Sequence, residues 1–251
     1  MKQFEKKIFA LAISIFAIPM TVFAQGATSA INSGNTAWLT VATILVMLMT
    51  IPGLALFYGG LVRQKNVLSI LMQCLMCTAV VSLMWIFFGY SFVFGKGLSG
   101  STLGFFVGGF DKIFLHGVTI SSVVSPAHVP EISFVLFQCM FAVITPALII
   151  GAFAERIRFS GFLLFTILWS IFSYYPMAHF VWGGGWMQQL GVIDFAGGTV
   201  VHINAGISAL IMALMLGRRR DYRPGKPIPG HSVPFVFIGA ACLWLWMQML
   251  F

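Results

Sequence analysis

Few side chains in this 251-residue chain could do chemistry, and the most conspicuous is a histidine inside an apolar run. His202 lies in VVHINAGISAL, eight residues after Asp194 and, on this reading, about eight residues into the fifth apolar run. At the α-helical rise of about 1.5 Å per residue, that is roughly 10 Å below the outer end of the run. Polar groups in hydrocarbon are costly, so each needs a reason. A hydrogen-bonded structural histidine and a pore or relay histidine are both open readings. Asp194, in IDFAGG, fits an acidic cap at a helix start, where it would also be felt by a cation near a pore mouth. Phe137 and Phe141 are four residues apart and share one helix face, with Gln138 beside them. In a chain with 26 Phe, such a pair is ordinarily packing or lipid contact. Trp182 ends an apolar run just before Gly183. It reads either as an aromatic-belt anchor or as a ring attracting an arriving cation, worth about 0.5–2 kcal/mol.

Other chemistries are excluded. The 6 acidic residues are scattered, and no Ser-His-Asp set, phosphate loop or His/Cys cluster appears, so no enzyme, metal site or cofactor is expected. Cys74 and Cys77 form a C-x-x-C without a second pair, and Cys139 and Cys242 also lie in apolar runs. All four read as small apolar side chains in helices.

The elements that must position these residues follow from composition. Hydrophobic residues make up 59% of the chain and charged residues only 8%, with a mean hydropathy of +0.98. A soluble domain carries roughly a quarter charged residues, so most of this surface must face lipid. Apolar stretches long enough to cross a bilayer, roughly 20 residues each, predict spans near 37–60, 66–94, 131–153, 159–182, 198–217 and 233–251. Two outer segments differ: 95–130 is rich in Gly and Ser without a clear span, and 183–197 is short and glycine-laden. Glycine there allows either close helix approach or ligand access to the main chain.

The formal charge of +8 comes from short basic clusters between apolar runs, with no basic face and interleaved aromatics, which excludes a nucleic-acid partner. The first residues, MKQFEKK then IFALAISIFAI, with Val22-Phe23-Ala24 before Gln25, predict a secretory signal peptide over 1–24. The mature N-terminus is then outside the cytoplasm. That orientation makes the connections after spans one, three and five cytoplasmic. They hold nine Lys and Arg residues, whereas the outer connections hold only Lys96 and Lys112, the bias expected of a multi-pass inner-membrane protein.

Four blocks carry a resemblance: TIPGLALFYGGLVRQKNVLS at 50–69, FQCMFAVITPALIIGAFAERIRFS at 137–160, MAHFVWGGGW at 177–186 and DFAGGTVVHINAGISAL at 194–210. With them the chain resembles the ammonium transporter (Amt/Mep/Rh) family. The resemblance implies an all-α integral membrane protein of eleven helices in two inverted five-helix repeats, of which this chain holds the first repeat and part of the sixth helix. It implies a homotrimer with one pore per subunit, ammonium or ammonia as substrate, and a possible PII-type regulatory partner at the cytoplasmic RRRDYRPGKP segment. By motif position it assigns Trp182, Phe141 and Asp194 to outer recruitment, Phe141 with Phe137 to the pore gate, and His202 to the pore relay.

The pattern departs from the family in the last span, where LWLWMQMLF at 243–251 replaces the expected glycine-bearing motif. The expectation is a truncated or frameshifted product, lacking the second gating Phe, an outer Ser and the second pore His, that does not conduct alone. A non-transporting membrane sensor or docking protein, and an inactive relic, are the alternative readings.

Overall fold

The computed structural model describes residues 31–219, 222–226 and 228–247. Among the described residues, five helices are long and apolar enough to cross a membrane: α1 Ser33–Leu61, α2 Gln64–Phe94, α3 Glu131–Phe153, α4 Phe159–Gln189 and α5 Gly198–Leu216. A shorter apolar helix, α6, spans Val233–Met247. Apolar side chains cover these helices on nearly every face, and in lipid the backbone must satisfy its own hydrogen bonds, which helices do. The fold is thus that of an all-α membrane protein. The expected spans agree to within a few residues, except that α4 continues past Gly183-Gly184-Gly185 into a last turn, Trp186–Gln189. The expected signal peptide at 1–24 and the end of the sixth span at 248–251 lie outside the described residues.

α3 is the central helix: 67% of its most apolar stretch is buried, against 22% for α5. Around α3 the core is filled by Trp85, Tyr174, Tyr175, Phe153 and Phe162, each under 2% exposed. The Trp85 indole N–H donates to the Val135 carbonyl at 3.0 Å, which fixes α2 against α3. α6 packs on α1 almost backbone to backbone. A Cβ added at Gly239 would lie 2.4 Å from the Phe57 nitrogen and 2.7 Å from the Gly53 oxygen. This close approach needs residues without side chains.

Among the described residues, three helices contain a π-helical turn, Trp85–Gly89 in α2, Ser170–Tyr174 in α4 and Gly198–Ile203 in α5, whereas α1 is kinked at Met49–Leu54, where Ile51 has non-helical φ −132° and ψ 110°. Each extra residue re-aims the side chains around it, a device found disproportionately at functional sites.

The outer segment 95–130 is ordered without a span. It holds short 3-10 turns at Thr102–Phe105 and Ile113–Leu115 and a two-residue hairpin, β1 Val123–Val124 against β2 Val129–Pro130. Asp111 ties it down by accepting from the Lys96 and Gly97 amides. Burial of that carboxyl is outweighed by these amides and Lys112, which hold it below the usual range. Lys112 pairs with Glu131, which also accepts from the Tyr90 hydroxyl at 2.8 Å.

At the opposite end, Glu155 follows α3 with φ +65°. Its side chain, 1% exposed, accepts from the Arg63 amide at 3.1 Å and from Asn66 Nδ2 at 2.6 Å. It also pairs with the Arg63 guanidinium at 3.0 Å and the Arg219 guanidinium at 3.8 Å. One carboxylate thus joins the inner ends of α1, α2, α3 and α5. Arg156 closes the same end by donating to the Gly217 carbonyl at 2.6 Å.

Candidate functional site

The site is built where the first half of α3, the end of α4 and the start of α5 meet. Phe137 and Phe141, one turn apart on α3, meet edge to face with centroids 5.0 Å apart. Trp182, near the end of α4, stands edge to face on Phe141 at 5.8 Å. Such geometry puts the electron-rich face of one ring against the edge of the next. Together with Gln138, Gln188 and Asp194, these rings line a cavity of about 450 Å³. Phe141 is 7% exposed and forms its floor, and its carbonyl accepts from the Thr145 hydroxyl one turn below.

Asp194 organises the rim. Its Oδ1 accepts from the Gly198 amide at 2.7 Å, and its Oδ2 accepts from the Thr199 and Val200 amides at 2.8 and 3.0 Å. An acidic cap was expected, but Asp194 caps from three residues before the helix boundary. The boundary residue is Gly197, whose φ of +78° turns the chain sharply enough for the carboxylate to reach over the first turn. The backbone carbonyl of Asp194 accepts from the Trp182 indole N–H at 2.8 Å. Trp182 therefore spends its polar edge on the loop and leaves its ring to the cavity, and α4 and α5 are locked together at the rim.

The structure brings Trp182, Phe141, Phe137 and Asp194 into one cavity. It does not bring His202 there. Because α5 proper begins at Gly198, His202 lies only four residues in, roughly 6 Å along the axis. Its side chain is exposed on the open face of α5 and makes no side-chain hydrogen bond among the described residues. Its amide donates to the Gly197 carbonyl at 3.1 Å, the bond that makes this turn π-helical.

Sequence reasoning missed His179. It is 2% exposed, with Nδ1 2.7 Å from the Val93 oxygen and Nε2 2.9 Å from the Gly104 oxygen, so it fastens α4 to the end of α2 and to the outer segment. Its place in MAHFVWGGGW, one turn before Trp182, was the available signal. The glycine-rich stretch that follows serves close approach at Gly183, where an added Cβ would lie 2.0 Å from the Val93 oxygen. The C-x-x-C is structural: Cys74 and Cys77 are buried free thiols, and Cys77 contacts the Val143 carbonyl at 3.5 Å. Among the described residues no group of three His, Cys, Asp or Glu could hold a metal ion.

Comparison with known proteins places this geometry in a family. The profile of the Ammonium Transporter Family matches residues 37–249. The ammonium transporter of Aquifex aeolicus is 47% identical over 234 residues, covering 93% of this chain and 52% of that protein. The Bacillus subtilis ammonium transporter is 46% identical, covering 84% of this chain and 50% of that protein. The crystal structure of Saccharomyces cerevisiae Mep2 superposes with a TM-score of 0.78 at 36% identity, covering 88% of this chain and 49% of that one. The chain spans about half the length of the relatives it matches, and over that span it belongs to the ammonium transporter family.

Proposed function

We propose that this chain serves ammonium and ammonia transport across a cell membrane, with its mature N-terminus outside the cytoplasm. The cavity walled by Trp182, Phe137 and Phe141 and bordered by Asp194 carries the proposal. Its rings offer π faces to a cation, each worth about 0.5–2 kcal/mol. Below it, Phe141 closes the way into apolar protein. Taking a bare ion from water into such surroundings costs far more than rings return, so an ion that keeps its charge is turned back. Ammonium can give its proton to water at the mouth, leaving hydronium outside, and continue as ammonia, a small neutral molecule. Potassium, similar in size and charge, has no proton to give.

His202 supplies the next group in this scheme. A neutral imidazole carries one donor and one acceptor nitrogen, so it can hydrogen-bond ammonia and pass a proton without itself becoming a fixed charge. Its exposure on the open face of α5 means that a dry corridor needs a second wall there. The inverted repeats found among transporters put the substrate path at such a seam. Assembly as a homotrimer, and docking of a PII-type regulator on the basic cytoplasmic segment, belong to the same reading. So does impaired conduction by this chain on its own, because His202 is exposed on the face of α5.

The test is capture at the cavity. The chain is purified in lipid nanodiscs and its tryptophan fluorescence followed while ammonium or methylammonium is added. A saturable change that is lost in Trp182→Leu is expected. If the Trp182→Leu chain responds as strongly as the parent, or if neither responds, capture at this cavity is wrong. Labelled methylammonium uptake in a transporter-null strain tests the second-wall argument: uptake by this chain alone should stay at background, and robust uptake overturns it.

A further inference from the structure

The turn that carries His202 is held at both ends, and only its outer anchor, Asp194, has been accounted for. The inner anchor is Asn204, the residue that follows the π-helical turn Gly198–Ile203. Asn204 is 9% exposed, and its Oδ1 accepts from the Ser173 hydroxyl of α4 at 2.7 Å. Its backbone carbonyl accepts from the Ser208 hydroxyl at 2.8 Å, and that hydroxyl in turn accepts from the Trp169 indole N–H at 2.8 Å. Indole can only donate, so the direction of this short chain is fixed from Trp169 through Ser208 to Asn204. The Asn204 Nδ2 has no hydrogen-bond partner among the described residues and is shielded from solvent. An amide kept in such a place at a cost in desolvation calls for a reason other than packing.

We infer that Asn204, held by Ser173 and by the Trp169–Ser208 pair, is a positioning residue that sets the direction of the His202 imidazole. The geometry is that of a π-helical turn. It contains one more residue than the α-helix it interrupts, and it can relax by passing that residue along. Such a slip turns His202 by about 100° about the helix axis and moves it about 1.5 Å along it. Two residues apart on a helix is a half-turn and a little more. When Asn204 points into the bundle toward Ser173, His202 must therefore point to the open face. Apolar packing shares this task on the buried face, where Val200, Val201 and Ala205 are at most 3% exposed, while Ile203, Ile207, Leu210, Leu214 and Met215 on the other face are all more than half exposed. Hydrogen bonds of fixed direction at one depth add a rotational setting that apolar contacts alone specify less sharply.

This inference rests on the proposed role of His202 for its importance, but its test reads the imidazole itself and needs no transport. The chain is labelled with ¹⁵N-histidine, placed in nanodiscs and examined by NMR. The His202 ring signals are assigned by their disappearance in His202→Asn. Ser173→Ala should shift the His202 ring nitrogens and alter their tautomer ratio while leaving those of His179 in place. Ser173→Thr, which keeps the hydroxyl, should restore them. Trp169→Phe gives an independent route to the same change should Ser173→Ala fail to fold. Unchanged His202 signals in a folded Ser173→Ala or Trp169→Phe chain overturn the inference, as does a Ser173→Thr chain that behaves like the alanine variant. Failure of ammonium capture with shifted His202 signals overturns the transport reading and leaves the positioning intact.

Discussion

Replacing Asp194 separates two roles that one carboxylate performs at the rim. Oδ1 holds one amide and Oδ2 holds two, at 2.7, 2.8 and 3.0 Å. In Asp194→Asn the amide oxygen takes the place of Oδ2, which keeps the Thr199 and Val200 bonds. The new NH₂ then faces the Gly198 N–H, donor against donor. One charge-assisted bond is lost, about 1.5–3 kcal/mol, and the charge at the helix start is lost with it, about 0.3–1 kcal/mol. Gly198 is exposed, so water replaces part of the first loss, and a net cost of about 2 kcal/mol follows. Asp194→Ala releases all three amides, two of them partly shielded, and should cost about 3–4 kcal/mol on the same scale. Unfolding of the purified chain, followed by helical circular dichroism against denaturant, measures both. The order parent, Asn, Ala is the content of the argument. An alanine variant no less stable than the asparagine variant, or either within about 0.5 kcal/mol of the parent, a margin typical of inert surface changes, refutes the three-amide cap.

Other outcomes follow from the same structure. Burial raises the Glu155 carboxyl, but bonds from Arg63 and Asn66 outweigh it and hold it below the usual glutamate value of 4.5. A depressed carboxyl contributes stability that is full above the unfolded value and lost as pH falls through the folded one. Denaturation should therefore ease progressively below about pH 4.5, and Glu155→Gln should remove much of that dependence. Gly239→Ala forces a methyl against the α1 backbone and should cost about 1–3 kcal/mol, as overpacking does, read as faster proteolysis of α6 in the otherwise intact chain. Phe141→Ala removes the cavity floor and should cost about 3 kcal/mol, the low end for buried aromatics, because the cavity above already leaves part of the ring free of contacts. Its unfolding midpoint checks this.

What was legible in the chain is what repeats locally. Hydropathy marks spans because every residue of a lipid-facing helix obeys the same solvent, so α1, α2, α3 and α5 could be read to within a few residues, whereas the end of α4, beyond the apolar run, could not. Phe137 and Phe141 were legible as a pair because helical spacing alone brings them together. Bonds between helices were not. Trp182 to Asp194 crosses 12 residues, Ser173 to Asn204 crosses 31, and Arg63 to Glu155 crosses 92. No local pattern encodes such distances. The π-helical turns were hidden for a related reason: they add one residue to a helix without changing its composition.

That last point bears on His202 most directly. The helix starts at Gly198, as the expected span did, so His202 lies four residues in, at roughly 6 Å rather than the roughly 10 Å first assigned to it. The three residues between Asp194 and Gly198 form the turn at Gly197, which lets Asp194 hold three amides at once. The carboxylate, the glycine and the imidazole are thus parts of one device: the cap sets where α5 begins, and where α5 begins sets the depth of the ring. Lengthening the loop by one residue between Asp194 and Gly197 should then disturb the His202 signals even though both end residues are kept.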